Sequence, residues 1–202
     1  LEFTKKYCPS ATFIFTSTNK VYGNNPNKLN FIETKDRWTI KKNSKFYKGI
    51  APAQLLAFST SSSGATLPLT MDRCEEKLDV SEEVSSFVLP LGATINMDGT
   101  ALYQAVAAVF IAQAMDLSLG YEQQLIIVLT TVLASIGTAA VPGAGIIMLV
   151  IILESINVPS QGIALVLGVD RILDMIRTSV NVTGDASVAV VIQNLENKLS
   201  KK

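Results

Sequence analysis

Apolar and polar positions divide this chain unevenly. From Gln123 to Leu153 the sequence runs 31 residues without a charge, more than the about 20 that a bilayer-spanning helix needs. "GTAAVPGAG" (Gly137 to Gly145) interrupts the run with three glycines and a proline in nine positions. The pattern therefore predicts two short apolar helices meeting at a tip rather than one rod. The arms, "QQLIIVLTTVLASI" and "IIMLVIIL", show no polar face. That is the pattern of a re-entrant hairpin, whose irregular backbone is tolerated at membrane depth only when buried in protein or lining a cavity. A soluble helix–turn–helix with an apolar core is the alternative.

"LLAFSTSSSGATLPLTM" (Leu55 to Met71) repeats the theme: an apolar segment broken by Thr60 to Ser63, then Gly64 and Pro68. Alone, such a serine run is as easily a flexible spacer. Between the two lies "FVLPLGATINMDGTALYQAVAAVFIAQAM" (Phe87 to Met115), apolar on both sides of "INMDGT". An amide, Asn96, and a carboxylate, Asp98, at a glycine-softened break suggest a discontinuous transmembrane helix. Its freed carbonyls and side-chain oxygens can coordinate a hard cation such as sodium. A surface Asp-Gly turn is the plainer reading.

The last apolar segment carries the most charge. In "DRILDMIRTSVNVTGD" the residues Asp170, Asp174, Arg177, Asn181 and Asp185 follow helical steps of four, three, four and four, within a sector of roughly 80°. Ile172, Leu173, Met175, Ile176, Val180 and Val182 fill most of the rest. In a soluble protein this stripe would face water. Beside two hairpins and a broken helix it predicts a secondary transporter, in which irregular segments build a site at the bilayer midplane. Ionisable groups there are costly and functional by default. The predicted fold class is an all-α membrane protein: two re-entrant helical hairpins, a broken transmembrane helix and a final amphipathic transmembrane helix.

Composition agrees. The chain is 49% hydrophobic and 17% charged, with mean hydropathy +0.36, outside the usual range of a soluble domain. Its zero net charge hides a division: residues 1–50 hold ten basic against three acidic residues, residues 51–202 seven against fourteen. The first segment is rich in Asn, Lys and aromatics, the second in Ala, Val, Ile, Leu and Gly. The shift predicts a boundary near residue 50 and a short α/β-type (strand–loop) fragment before the membrane region. Cys8 and Cys74 suggest neither disulfides nor a metal site. The absence of histidine removes the commonest general base and most zinc chemistry. No basic-then-apolar leader opens the sequence, so no signal peptide is expected.

"SSSGATLP", "GATINMDGTALY", "ASIGTAAVPGAG" and "DMIRTSVNVTGD" together resemble the glutamate/aspartate (sodium:dicarboxylate) symporter family, over about residues 54–196 and most closely its prokaryotic branch. The resemblance implies sodium-coupled symport of acidic amino acids or related dicarboxylates, a multi-pass plasma or inner membrane location, and a homotrimer for a full-length member. No organic cofactor and no nucleic-acid partner are implied. Toward substrate it implies Ser63, backbone of Ser61 and Ser62, Thr100, Val141, Gly145, Asp174 for the amino group, Arg177 for the side-chain carboxylate, and Thr178 and Asn181 for the α-carboxylate and α-amino end. Toward sodium it implies Asn96 and Asp98, carbonyls of Gly92 and Thr94, carbonyls of Ser135, Ile136 and Thr138, and Asn181 with Asp185. A guanidinium fork suits a carboxylate and an ammonium needs an anion in low dielectric. Ser61 and Met175 stand where the family often carries a further arginine, and Ala140 where many members have glycine. The family's N-terminal transmembrane helices are not in this sequence, so an incomplete core that does not transport alone is expected.

"TFIFTST" has strand character before a polar turn at Gly23 to Pro26. With "TSTNKVYG" it resembles a fragment of the NAD-dependent nucleotide-sugar epimerases and dehydratases, Thr18 matching their catalytic hydroxyl. No glycine-rich nucleotide fingerprint and no Tyr-x-x-x-Lys pair accompanies it, so no hydride chemistry and no catalytic residue is expected. Residues 1–50 are thus expected not to fold alone. Two abutting incomplete segments suggest an accidental join or a non-transporting pseudogene product as the alternative to a symporter.

Overall fold

The computed structural model describes residues 31–34, 37–40 and 45–199. The chain divides into two compact units, residues 1–48 and residues 49–202. In the first, strands β1 (Phe31–Thr34) and β2 (Arg37–Ile40) pair antiparallel, with Phe31 opposite Ile40 and Thr34 opposite Arg37. The predicted strand at "TFIFTST", with Thr18, lies outside the described residues.

Among the described residues the second unit is helical throughout. Helix α1 (Lys45–Thr60) leads into it, followed by α2 (Ser63–Leu78), α3 (Glu82–Ile95), α4 (Asp98–Ala114), α5 (Tyr121–Gly137), α6 (Ala144–Ser155), a 3₁₀ turn (Ser160–Ile163) and α7 (Ala164–Leu199). The serine run is not a spacer. Ser61 takes a left-handed φ of 52°, and Ser62 caps α2 by accepting from Ala65 N–H at 3.1 Å. The chain turns there and α2 runs back toward the start of α1, where a Cβ on Gly49 would meet Leu78 Cδ2 at 2.7 Å. Helices α5 and α6 likewise join through residues 138–143. Their outer ends meet where Gln123 Nε2 donates to the Ile156 carbonyl at 3.5 Å.

Helix α3 starts firmly. Ser81 Oγ accepts from Val84 N–H, and Glu82 and Glu83 occupy the positive first turn. It stops at Ile95, and α4 begins at Asp98 after two intervening residues. Asn96 and Met97 have non-helical ψ angles of 60° and 61°. The "INMDGT" break is therefore a helix interruption, and the surface-turn reading falls. Counted through it, Glu82–Ala114 is, among the described residues, the one helical run long and apolar enough to cross a membrane; Tyr121–Gly137 and Ala144–Ser155 are shorter apolar helices.

Helix α7 packs against α4, α3 and α2. Its stripe turns inward: Asp170, Asp174, Arg177, Asn181 and Asp185 are each 5% exposed or less, while Ile172 on the same helix is 59% exposed. Leu102, Val106, Leu129, Leu133 and Ile147 are exposed as well. Aliphatic outside and charged inside is the reverse of a soluble helix bundle, so the water-facing reading of the stripe is also lost. A smaller aliphatic core, with Ile111, Leu149, Ile152, Leu153 and Ile156 at its centre, ties α4 to α6 and the 3₁₀ turn.

Candidate functional site

The inward stripe of α7 meets three irregular pieces: the α1–α2 turn, the α3–α4 interruption and the α5–α6 tip. Ser61, Ser63, Met97, Thr100, Thr138, Val141, Gly145, Asp174, Arg177, Thr178 and Asn181 surround one small space of about 20 Å³. It is the convergence the helical spacing predicts.

Arg177 is its centre. Its Nε donates to Asp174 Oδ1 at 2.9 Å and its Nη1 to Asp170 Oδ1 at 3.4 Å. The guanidinium carbon stands 4.5 Å from the centroid of the Tyr103 ring, a cation–π distance. The Tyr103 hydroxyl donates to the same Asp170 oxygen at 2.8 Å. Nη2 has no hydrogen-bond partner and neither has Ser61 Oγ, both buried beside the space. Two carboxylates against one guanidinium leave one negative charge, while an edge of the cation stays unused. Such an arrangement of charges complements an ammonium and a carboxylate side by side, in a space that as it stands holds about one water.

Asn181 links this site to the helix interruption. Its Oδ1 accepts from Gly99 N–H at 2.8 Å, and its Nδ2 donates to Thr100 Oγ1 at 3.1 Å. One turn further along α7, Asp185 Oδ1 accepts from Asn96 Nδ2 at 2.9 Å. A Cβ on Gly92 would fall 2.6 Å from that oxygen, and one on Gly184 would fall 3.6 Å from Asp98 Oδ2. Gly92, Asn96, Asp98 and Asp185 are thereby gathered at the end of α3, where Asn96 N–H caps the Gly92 carbonyl at 2.8 Å and the carbonyls beyond it have no intrahelical donors. Among the described residues no group of three or more His, Cys, Asp or Glu side chains could hold a metal ion. A carboxylate or two supplemented by amide and carbonyl oxygens fits a hard monovalent cation better than zinc or a transition metal.

Other predicted residues stand less directly at these centres. Thr94 is exposed, and its hydroxyl bonds back to the Leu91 carbonyl. Ser135 and Thr138 spend their hydroxyl protons on the Val132 and Ala134 carbonyls, so their side chains mainly shape the end of α5. The Ile136 side chain is half-exposed, and Val141 covers the space from the outer side of the tip. Thr178 Oγ1 donates to the Asp174 carbonyl.

Three residues escape the sequence reading. Asp170 belongs to the stripe but received no role. Tyr103 and Gln104 are hidden in the apolar run of α4, although Gln104 is fully buried and its Nε2 donates to the Gly145 carbonyl at 3.2 Å. An amide inside a mostly apolar stretch of α4 was the available signal.

The tips touch. Ser62 Oγ donates to the Ala140 carbonyl at 2.8 Å, and Gly64 N–H reaches the same oxygen at 3.3 Å. Gly143 N–H donates to Asp174 Oδ2 at 2.9 Å. A Cβ on Gly145 would meet Arg177 Cζ at 2.8 Å, so only glycine lets the start of α6 approach the guanidinium.

The model of the family described as "Sodium:dicarboxylate symporter family" matches residues 37–195. The chain belongs to that family. Over 160 residues it is 49% identical to human excitatory amino acid transporter 3, covering 79% of this chain and 30% of the relative. An excitatory amino acid transporter of Caenorhabditis elegans is 49% identical over 155 residues, 76% of this chain and 31% of the relative. The putative sodium-dependent excitatory amino acid transporter glt-4 of the same animal is 51% identical over 160 residues, 78% and 32%. The chain thus spans about a third of the length of the curated relatives it matches. These relatives are animal transporters, which corrects the expectation of the prokaryotic branch. The family match also runs into the segment likened to an epimerase, from residue 37 onward, and lends that likeness no support.

Proposed function

We propose that this chain forms the substrate- and sodium-binding core of a membrane carrier that moves acidic amino acids together with sodium. The observation that carries the reading is the buried, partly paired Arg177. A guanidinium with an unused Nη2, between two carboxylates and under two helix tips, is costly to maintain unless an anion is to be received there.

In this reading the roles are those that the resemblance to the family implies. Arg177 Nη2 takes the side-chain carboxylate of aspartate or glutamate, and Asp174 takes the amino group. Thr178, Asn181, Thr100, Ser63 and the Ser61–Ser62 backbone position the α-carboxylate end. Asp185, Asn96, Asp98 and the Gly92 and Thr94 carbonyls take one sodium ion; Asn181 stands between that ion and the cargo. The carbonyls at the end of α5, from Ser135, Ile136 and Thr138, take another. The α1–α2 and α5–α6 pairs are re-entrant hairpins, the second acting as a lid bearing Val141 and Gly145. The exposed aliphatic surface supports a multi-pass location in a cell membrane, with lipid on one side and the remainder of a homotrimeric carrier on the other. No organic cofactor has a role in this scheme.

The test is sodium-dependent binding of aspartate to the chain in lipid nanodiscs, followed by calorimetry, with Arg177→Ala as control. Binding should require sodium and be lost in the variant. Sodium-independent binding, or binding that survives Arg177→Ala, would refute the assignment.

A further inference from the structure

The first hairpin meets α7 on a side that the site does not use. At about 100° per residue, Ser179 and Thr183 lie roughly opposite the stripe of Asp170, Asp174, Arg177, Asn181 and Asp185 on that helix. Two hydrogen bonds join α1 to them there. Gln54 Nε2 donates to Thr183 Oγ1 at 2.8 Å, and Ser179 Oγ donates to the Gln54 carbonyl at 3.0 Å. The protons balance, because Thr183 gives its own to the Ser179 carbonyl at 2.6 Å and keeps its oxygen free to accept from Gln54. Further along the same hairpin, Ser61 and Ser63 line the space at Arg177. The hairpin thus reaches around α7, with α1 at the back and the turn at the site.

Packing alone does little to fix α1 along α7. Its buried residues are Gly49, Ile50, Ala53 and Ala57, three of them small and four positions apart, while the larger Leu55 and Phe58 are exposed. A row of small residues lets helices approach closely but offers few ridges to set their register. Directional hydrogen bonds supply what that smooth face lacks. Gln54 stands about two helical turns before Ser61, and a slip of one residue would carry the turn about 1.5 Å along α7.

We infer that Gln54 is a positioning residue: bonded to Thr183 and Ser179, it sets the register of the first hairpin on α7. It thereby places the Ser61–Ser62 backbone and Ser63 at Arg177. The consequence for binding rests on the substrate role proposed for those serines, whereas the register role does not. Gln54 itself touches no ligand. It keeps the competent register populated, so the apparent affinity falls with the fraction of chains that leave that register when the bond is lost.

Two variants test this in nanodiscs, alone and combined. Gln54→Leu removes the amide donor, and Thr183→Val removes the accepting hydroxyl at nearly constant shape. Each should weaken sodium-dependent aspartate binding about three- to tenfold, the scale of one neutral hydrogen bond, at temperatures well below unfolding. The combination should weaken it no further, since both changes remove the same bond. Thr183→Ser keeps the hydroxyl and should bind like the unmodified chain. Hydrogen exchange of peptides within residues 57–66 should quicken by a similar factor in Gln54→Leu and Thr183→Val, with residues 100–114 as an unchanged internal reference. Additive losses, full affinity in Gln54→Leu, unaltered exchange at the turn, or faster exchange spread through residues 100–114 would each overturn the register role. If the unmodified chain binds no aspartate, the carrier reading is damaged while exchange at the turn still decides what Gln54 does.

Discussion

Arg177 is enclosed by groups of three kinds: a carboxylate on each of two turns of its own helix, an aromatic ring from α4, and the backbone of Gly145. Each limits what can replace it. Lysine would retain the charge but neither the planar fork nor the stacking on Tyr103. Arg177→Lys should therefore keep the fold, as read by thermal unfolding, yet lower aspartate affinity by roughly a hundredfold, consistent with loss of a buried bidentate pair. Tyr103→Phe isolates a smaller effect. It keeps the ring over the guanidinium but removes the hydroxyl that donates to Asp170. One neutral donor to a charged acceptor is worth about 1.5–3 kcal/mol, so calorimetry should show a tenfold or greater weakening, and an unchanged affinity would deny Asp170 and Tyr103 a part in holding Arg177. The stripe residues themselves were legible because α7 is long and regular, and steps of three and four leave little freedom. Tyr103 was not, since an aromatic in an apolar helix looks the same whether it fills a core or lies over a cation.

The α3–α4 interruption and the two turns depend on glycines whose neighbours decide their importance. Gly92→Ala drives a methyl to 2.6 Å from Asp185 Oδ1. Asp185 must move, and the sodium concentration needed for half-maximal aspartate binding should rise about tenfold or more if displacing this carboxylate costs about 1.4 kcal/mol or more. Gly137→Ala provides the contrast, because a Cβ there meets nothing within 4 Å and the residue closes α5. It should leave binding intact and raise the melting temperature slightly, alanine being favoured in helices by up to about 1 kcal/mol. Sequence alone revealed that both hairpins turn at their Ser- and Gly/Pro-rich stretches, as those residues weaken a helix. It could not reveal that Ser62 and Ala140 would meet, a contact between residues 78 positions apart. The strands at Phe31–Thr34 and Arg37–Ile40 were missed because the period-two pattern there is only four residues long on each side.

At the scale of the molecule, the charged stripe of α7 points inward while many aliphatic side chains of α4, α5 and α6 point outward, and this inversion was only half legible. Composition announced a membrane, but the side of α7 facing its neighbours depended on how α3 and α4 fold against it. The chain should accordingly remain with membranes through alkaline carbonate washing, and release into the soluble fraction would contradict the inverted arrangement. Within the aliphatic core, Leu153→Ala should lower unfolding stability by about 2–5 kcal/mol, seen as a lower midpoint in a denaturant titration, without moving the sodium requirement of binding. The interruption at Asn96 and Met97 has a larger consequence. An unbroken helix from Glu82 to Ala114, 33 residues, would set its negative and positive poles about 50 Å apart, one near each aqueous face. Two non-helical residues bring a negative pole, the end of α3, and a positive pole, the start of α4, almost together in the interior of the span. Attraction for a cation and attraction for an anion thus arise from one element as next-door neighbours, so each charge drawn in screens the entry of the other.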